Sequence, residues 1–346
     1  MPVNYNNDLT EVLDEYLLPL KGIEEVLSRV GKDAKVLVET PLGFKNVGLE
    51  AVRYLSNKGY RAHLSGQNVW GACDFSVLSD YQYIIHLGHA LPSNIFRIIS
   101  KNLRVRRGGS GDIITIEIEG GPIVLFSAIY YKPRPELLNR VREIVDDFVK
   151  PGTDVLVTYA LPYKLYAYKI AETLGLSVAP SPITGCFIPF PIRGTVLFVG
   201  SGYFYPLTFK LLKPQATVYL LDVFRGSVEN VDQVYRRYLA LKVKALQGFS
   251  NARLVGIVVS RKPGQYRPEL VELLINRLRG LGKEFVVIDL NEVSPDYINN
   301  LPVDVVVNTA CPRIGIDDLD RFAKPVINAG DALKVNTLDL SNLLVW

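Results

Sequence analysis

Short runs of β-branched apolar residues alternate with amphipathic stretches along this chain, and the alternation recurs at a nearly fixed offset. No other feature restricts its fold as much. AKVLVET ends at Pro41, GLEAVRYLSNKG predicts a helix closing on Gly59, and YRAHLSG predicts a second strand, which together make a βαβ unit with parallel strands. YQYIIHLGHA then reads as a strand running out at Gly88. A second pass follows the same order. In PELLNRVREIVDDFV, Leu137, Val141, Ile144, Val145 and Phe148 share one helical face. DVLVTYA, a helix from about Tyr163 to Leu174, the short LSVAP, TVLFVGSG, another helix and ATVYLLDV come after it. Val36 and Val155 stand 119 residues apart, Cys73 and Cys186 stand 113 apart, and Gly88 and Gly200 stand 112 apart. A third pass starts after the helix VDQVYRRYLALKVKAL, with LVGIVVS, a helix over Pro268 to Leu281, EFVVIDL, VDVVVNTAC and KPVINAGDAL. The pattern predicts an α/β protein of three related units with parallel sheets, at 1–131, 132–225 and 226–346.

Length agrees, since single cores rarely grow beyond roughly 250–300 residues and this chain has 346, of which 48% are hydrophobic. The first unit carries extras. Leu9, Val12, Leu13, Tyr16 and Leu17 recur at helical spacing between Asp8 and Arg29, which predicts a helical arm. Arg97, Arg104, Arg106 and Arg107 read as a solvated basic loop, and ITIEIEGGPIVLFSAIYY as a hairpin. A net charge of +4 with mixed signs is too mild to imply nucleic acid. The polar start MPVNYNNDLTEVLDEY is no signal peptide, and no apolar run approaches the roughly 18 residues a membrane span needs. The expectation is a soluble, cytoplasmic protein.

Each unit contains one cysteine, and the chain has only three. Cys73 lies in WGACD, Cys186 in ITGCF, and Cys311 follows the buried run VVVNTA at the head of CPRIGIDD, which ends at Asp318. An isolated intracellular cysteine is usually a small buried hydrophobe. Three of three, each in a loop with glycine or proline at a corresponding place, point instead to one shared site at the carboxyl ends of the strands, where open parallel sheets bind ligands. Their spacings of 113 and 125 residues exclude the compact pairs of zinc ribbons and ferredoxin-like clusters. Three thiolates could hold zinc with a fourth position open, or three irons of a 4Fe-4S cluster with the fourth iron open, and the pattern alone does not choose.

Of the three histidines, His86 and His89 close a strand in HLGHA and can orient a ligand or donate hydrogen bonds. His63, inside a strand, reads as a satisfied packing residue. The stretch GSGYF, from Gly200 to Phe204, opens a helix after a strand, where free N–H groups favour a carboxylate or phosphate. SRKPGQ, from Ser260 to Gln265, offers a cation and an amide, or simply a βα loop with a type II turn at Pro263 and Gly264.

Taken in order, NVWGACD, HLGHA, ITGC, VGSGYFYP, SRKPGQ and VNTACPRIGIDD make the chain similar to the diphthamide biosynthesis family, and within it to the archaeal diphthamide synthases, over roughly Val36 to Leu333. The resemblance implies three Rossmann-like domains in a pseudo-threefold arrangement, with Cys73, Cys186 and Cys311 holding a 4Fe-4S cluster. It implies a non-classical radical reaction on S-adenosylmethionine, in which its 3-amino-3-carboxypropyl group is transferred to C2 of a histidine imidazole on translation elongation factor 2 and methylthioadenosine is left. Gly200, Gly202, Asp222 and Gln265 would contact S-adenosylmethionine. A homodimer, an external electron donor and a cytoplasmic location follow from the same resemblance, with no membrane and no direct nucleic acid. One position departs, since Tyr205 stands where the family commonly has histidine, and a tyrosine cannot act as a cation near neutral pH. A quinolinate-synthase-like 4Fe-4S enzyme and a non-catalytic electron-delivery subunit are the rival readings.

Overall fold

In the computed structural model, residues 9–334 are described, apart from 30, 150–152, 193 and 318. Asp8 of the expected helical arm and Asp318 at the end of CPRIGIDD therefore lie outside the described residues. The chain divides into two compact units, Met1–Glu143 with Thr158–Pro182, and Ile144–Val157 with Ile183–Trp346.

The first unit opens on strands β1 (Thr10–Val12) and β2 (Tyr16–Leu18), followed by helix α1 (Leu20–Leu27). The expected helical arm is thus half hairpin. Leu13 and Asp14 both take positive φ, at 53° and 59°, which turns the chain back on itself. β2 also pairs with the distant β9 (Tyr130–Tyr131), Leu17 facing Tyr130. Apolar residues at 9, 12, 13, 16 and 17 satisfy a helical period, and the local pairing of β1 with β2, joined by this pairing across more than a hundred residues, decides against it.

The main sheet has β3 (Lys35–Glu39), α2 (Lys45–Asn57), β4 (Arg61–Leu64), β5 (Tyr83–Leu87), α3 (Ser93–Asn102), β6 (Val105–Ser110), β7 (Ile113–Ile118) and β8 (Ile123–Ser127). Its order is β4-β3-β5-β8-β7-β6. The first four strands are parallel, and β3, β5 and β8 are the near-continuous apolar runs that coverage on both faces favours, while β4 at the edge alternates exposed and half-buried. Val36, Val38, Ile85 and Leu125 pack against Val47, Ala51 and Leu55 of α2 in one core. The expected hairpin forms as β7 and β8. The basic stretch is not a loop: Arg106 and Arg107 lie on β6, the outermost strand, antiparallel to β7. Arg104 and Arg106 face Glu119 and Glu117 at 3.4 and 3.7 Å, and the Arg107 guanidinium lies over Phe96. Glu117 on β7 and Glu119 just after it thus face two of these arginines.

Helix α4 (Pro135–Val145) is followed by strand β10 (Val155–Tyr159). The first unit continues with α5 (Lys164–Leu174), stopped by Gly175 at φ +69°, and with β11 (Ser177–Val178). In the second unit come β12 (Thr195–Gly200), α6 (Phe204–Leu212), β13 (Thr217–Asp222) and β14 (Ser227–Asn230). β12 and β13 are parallel, with Gly200 opposite Asp222 at their carboxyl ends, and β14 returns antiparallel.

A long helix, α7 (Asp232–Asn251), leads to β15 (Leu254–Ser260), α8 (Pro268–Gly280), β16 (Glu284–Leu290), α9 (Pro295–Asn300), β17 (Val305–Asn308), α10 (Ile314–Asp317), β18 (Val326–Asn328) and α11 (Ala329–Lys334). The order β16-β15-β17-β18 is parallel throughout. Leu270, Val271, Leu274 and Leu278 of α8 close over this sheet, one apolar stripe repeating every three to four residues. α7 buries Tyr235, Tyr238, Ala245 and Phe249 and, on the same stripe, Lys242. The Lys242 ammonium donates to Asp331 of α11, whose carboxylate also accepts from the Asn328 N–H at 2.9 Å. Three parallel-containing α/β sheets are thus present, as the alternation predicts. No helix among the described residues is long and apolar enough to cross a membrane.

Candidate cysteine-centred site

Parallel strands deliver their last residues and the following loops to one edge of a sheet, and each cysteine sits on such a loop. None of the three is in a disulfide, and each is partly exposed.

Cys311 follows β17. Asn308 and Asn328 end two adjacent parallel strands in register. Asn308 Nδ2 donates to the Cys311 carbonyl at 2.8 Å and to Asn328 Oδ1 at 2.9 Å, while Asn328 Nδ2 donates to the Pro312 carbonyl at 2.8 Å. The two amides hold the Cys311 turn from beneath. Gly315 permits this approach, because a Cβ there would lie 2.5 Å from Asn328 Oδ1. Neither asparagine stands out as a site residue in the sequence, although each marks the end of an apolar strand.

Cys186 lies in a tight turn closed by the Thr184 N–H on the Phe187 carbonyl. Gly185 is forced by sterics: a Cβ would meet the Phe204 ring at 2.4 Å. Its carbonyl accepts from Thr208 Oγ1 of α6 at 3.1 Å. Burial pushes the Cys186 thiol up, opposed by the Thr184 hydroxyl and by the positive charges of Arg313 and Arg267.

Arg313, two residues beyond Cys311, ties these loops together. Its side chain is 5% exposed. It pairs with Asp317 through both carboxylate oxygens at 2.6 and 2.5 Å, donates to the Phe204 carbonyl at 2.7 Å and to Thr208 Oγ1 at 3.3 Å, and lies 4.0 Å over the Phe204 ring. One side chain therefore grips the Cys311 loop, the start of α6 and, through Thr208, the turn of Cys186. Replacing Arg313 by Met strands these acceptors. The expected loss is about 2–3 kcal/mol in urea unfolding, below that of a fully buried pair because Asp317 keeps some water.

Of the residues expected at S-adenosylmethionine, Gly200 and Asp222 sit side by side and Gly202 follows at φ +69°, with open space where its Cβ would be. Asp222 already accepts from Ser201 Oγ at 3.1 Å and from the N–H groups of Phe224 and Arg225. Gln265 stands on the loop after β15, in a different sheet, and is buried. That loop closes as a helical turn, with the N–H groups of Gln265 and Tyr266 on the Lys262 carbonyl, and Gly264 does not take the positive φ of a type II turn. Tyr205 stacks on Phe198 at 5.9 Å, and burial raises its phenol above the usual range, opposed by the Arg313 charge and helped slightly by Cys186.

In the first unit Cys73 follows β4. Asp74 accepts the Trp70 N–H at 3.1 Å and donates its own N–H to the Gly71 carbonyl at 3.0 Å, while Trp70 itself is 63% exposed. Phe75 packs edge-on against Phe126, and the Ser76 N–H reaches Glu39 at 3.2 and 3.3 Å. Lys45 spans nearby carbonyls of Thr40, Ser65 and Gln67. His86 is buried between Glu39 and His89. His63 bonds Tyr81 at 3.0 Å on an exposed edge, satisfied as expected though not packed inside.

The family model for "Putative diphthamide synthesis protein" matches residues 40–337. The chain belongs to this family. Among its relatives is a 2-(3-amino-3-carboxypropyl)histidine synthase of Pyrococcus horikoshii, 24% identical over 329 residues, covering 90% of this chain and 87% of that protein. A protein of the same name from Methanocaldococcus jannaschii is 25% identical, over 88% and 85%. The human 2-(3-amino-3-carboxypropyl)histidine synthase subunit 1 is 29% identical over 48% of this chain and 38% of its own length. The crystal structure of Dph2 from Pyrococcus horikoshii with a 4Fe-4S cluster superposes with a TM-score of 0.74, at 21% identity over 97% and 94% of the two chains. This places the diphthamide synthesis protein in the same α/β fold.

Proposed function

We propose that this diphthamide synthesis protein is a 2-(3-amino-3-carboxypropyl)histidine synthase, catalysing the first step of diphthamide formation, with Cys73, Cys186 and Cys311 as ligands of one 4Fe-4S cluster. The observation that carries the reading is the Arg313 junction. Cys186 and Cys311, 125 residues apart in sequence, stand on loops gripped by one buried guanidinium. Among the described residues no three His, Cys, Asp or Glu side chains are gathered as a metal site, and the fit to a cluster rests on donor chemistry. Three thiols outside any disulfide suit soft iron–sulfur ligation, and with one cysteine per sheet the fourth iron keeps an open position. A quinolinate-synthase-like activity has no support from the family assignment, and keeping all three cysteines argues against a non-catalytic subunit.

When bound, the cluster supplies the electron that cleaves the bond between sulfur and γ-carbon of S-adenosylmethionine. The chain's own residues fix geometry. Asn308 and Asn328 fix the Cys311 turn, Arg313 sets a positive charge beside Cys186, and the strand ends at Gly200, Gly202 and Asp222, with Gln265, offer N–H groups and carbonyls to the co-substrate. Protein substrate, donor and assembly follow the family: elongation factor 2 as acceptor, an external reductant, a homodimer, and a cytoplasmic setting. The test is anaerobic incubation of the reconstituted protein with S-adenosylmethionine, dithionite and elongation factor 2. Methylthioadenosine release together with a modified histidine on the factor, seen by mass spectrometry, is the expected result. An intact, reducible cluster that cleaves no S-adenosylmethionine would overturn the reading.

A further inference from the structure

A chain of three ionisable side chains adjoins the loop that carries Cys73. Glu39, the last residue of β3, is fully buried opposite His86 in the parallel register. Its Oε2 lies 3.3 Å from His86 Nδ1, and His86 Nε2 lies 2.9 Å from His89 Nδ1. His86 is itself fully buried, its ring against Phe126 at 5.0 Å, and Phe126 packs on Phe75 of the Cys73 loop. Both Glu39 oxygens also receive the Ser76 N–H from that loop. The same carboxylate therefore anchors the loop and aligns the first imidazole.

A carboxylate only accepts hydrogen bonds, so His86 Nδ1 carries the hydrogen. His86 Nε2 is then the acceptor, and His89 Nδ1 must donate to it. His89 is left with a bare lone pair on Nε2. Burial and the neighbouring His86 both favour its uncharged form. Gly88, at φ +90°, turns the chain between the two rings, and His89 is the one member of the three that is not sealed from solvent. A buried acid orienting one base through another is the usual way an imidazole is held in a single tautomer.

We propose that His89 is the proton acceptor for the histidine that this protein modifies, with Glu39 and His86 as positioning residues. The inference rests on the transferase reading above. The net exchange defines the need for a base. The bond from the sulfonium sulfur to the γ-carbon breaks with its electron pair left on sulfur, a bond forms between that carbon and C2 of the target imidazole, and the C2 hydrogen leaves as a proton. The electron supplied at cleavage is given back when the radical adduct regains aromaticity, so none is gained or lost overall, and the one species that needs an acceptor on the protein is that proton. An acceptor held in one tautomer with a bare lone pair meets this need.

The experiment compares wild type with His89→Gln as cluster-loaded proteins, given S-adenosylmethionine, dithionite and elongation factor 2, and reads modified histidine per methylthioadenosine released. The ratio is expected to fall at least tenfold in His89→Gln, and added imidazole should restore it in part in His89→Gly. A ratio equal to wild type in both variants overturns the proposal. A wild-type protein that releases no methylthioadenosine defeats the broader reading instead. A second measurement needs no cluster: nitrogen-15 spectra of histidine-labelled chain should show His89 with a protonated Nδ1 and a bare Nε2, and Glu39→Gln should disturb that pattern. A protonated Nε2 on His89 in the wild-type chain overturns the proposal whether or not the variants load iron.

Discussion

Alanine at Cys73, Cys186 or Cys311 is expected to abolish the brown absorbance of the reconstituted protein and to reduce methylthioadenosine release to background. The size of the effect follows from the donor set. With three thiolates for four irons, no spare ligand exists, and loss of one leaves two irons open to solvent and chelator. The surrounding loops are not expected to collapse, because they are held by groups other than the thiols: Asn308 and Asn328 under Cys311, Thr208 at Gly185, and Glu39 at Ser76. Urea unfolding of the cluster-free variants should therefore stay close to that of cluster-free wild type, separating ligand loss from misfolding. Three alanine variants that all retained a full, reducible cluster would remove the basis of the site.

Methionine at Lys242 is expected to cost about 3–5 kcal/mol, because it leaves the Asp331 carboxylate buried with a single backbone donor. Urea unfolding measures the loss. Adding Asp331→Asn should recover much of it, since a neutral amide no longer needs the counter-charge. Lys242 fastens α7 to the helix that follows β18, and β18 carries Asn328 beneath the Cys311 turn. Cluster retention under a chelator is therefore expected to drop in the single variant and to return in the double.

Much of the architecture was legible because it rests on local patterns. Parallel strands buried on both faces must be continuous apolar runs, so VLVE, YIIHL, TVLFVG and VVVN announce themselves, and the repeat offsets follow. The N-terminal hairpin was not legible, since β9 lies far along the chain from its partner. The three cysteines were conspicuous by scarcity. Their supports were not: Glu39 reads as the polar end of a strand, Asn308 and Asn328 as ordinary strand terminators, and Arg313 as one more surface charge. Each becomes a site residue only when a second residue, distant in sequence, is placed within 3 Å or so of it. Lys242 is intermediate. It falls on the apolar stripe of Tyr235, Tyr238, Ala245 and Phe249, a position where a lysine needs a buried partner, yet nothing in the sequence names Asp331.

The arginine row on β6 has a consequence for how the molecule survives in a crowded solution. An outermost strand displays unused backbone donors and acceptors, and a neighbouring copy can add to them as a further strand. Here the flanking side chains are guanidiniums at Arg104, just before the strand, and at Arg106 on it, paired with Glu119, just past β7, and with Glu117 on β7. A second chain approaching that edge would have to strip water from these charges and meet its own like-charged row. The sheet therefore stops growing where the fold intends it to stop.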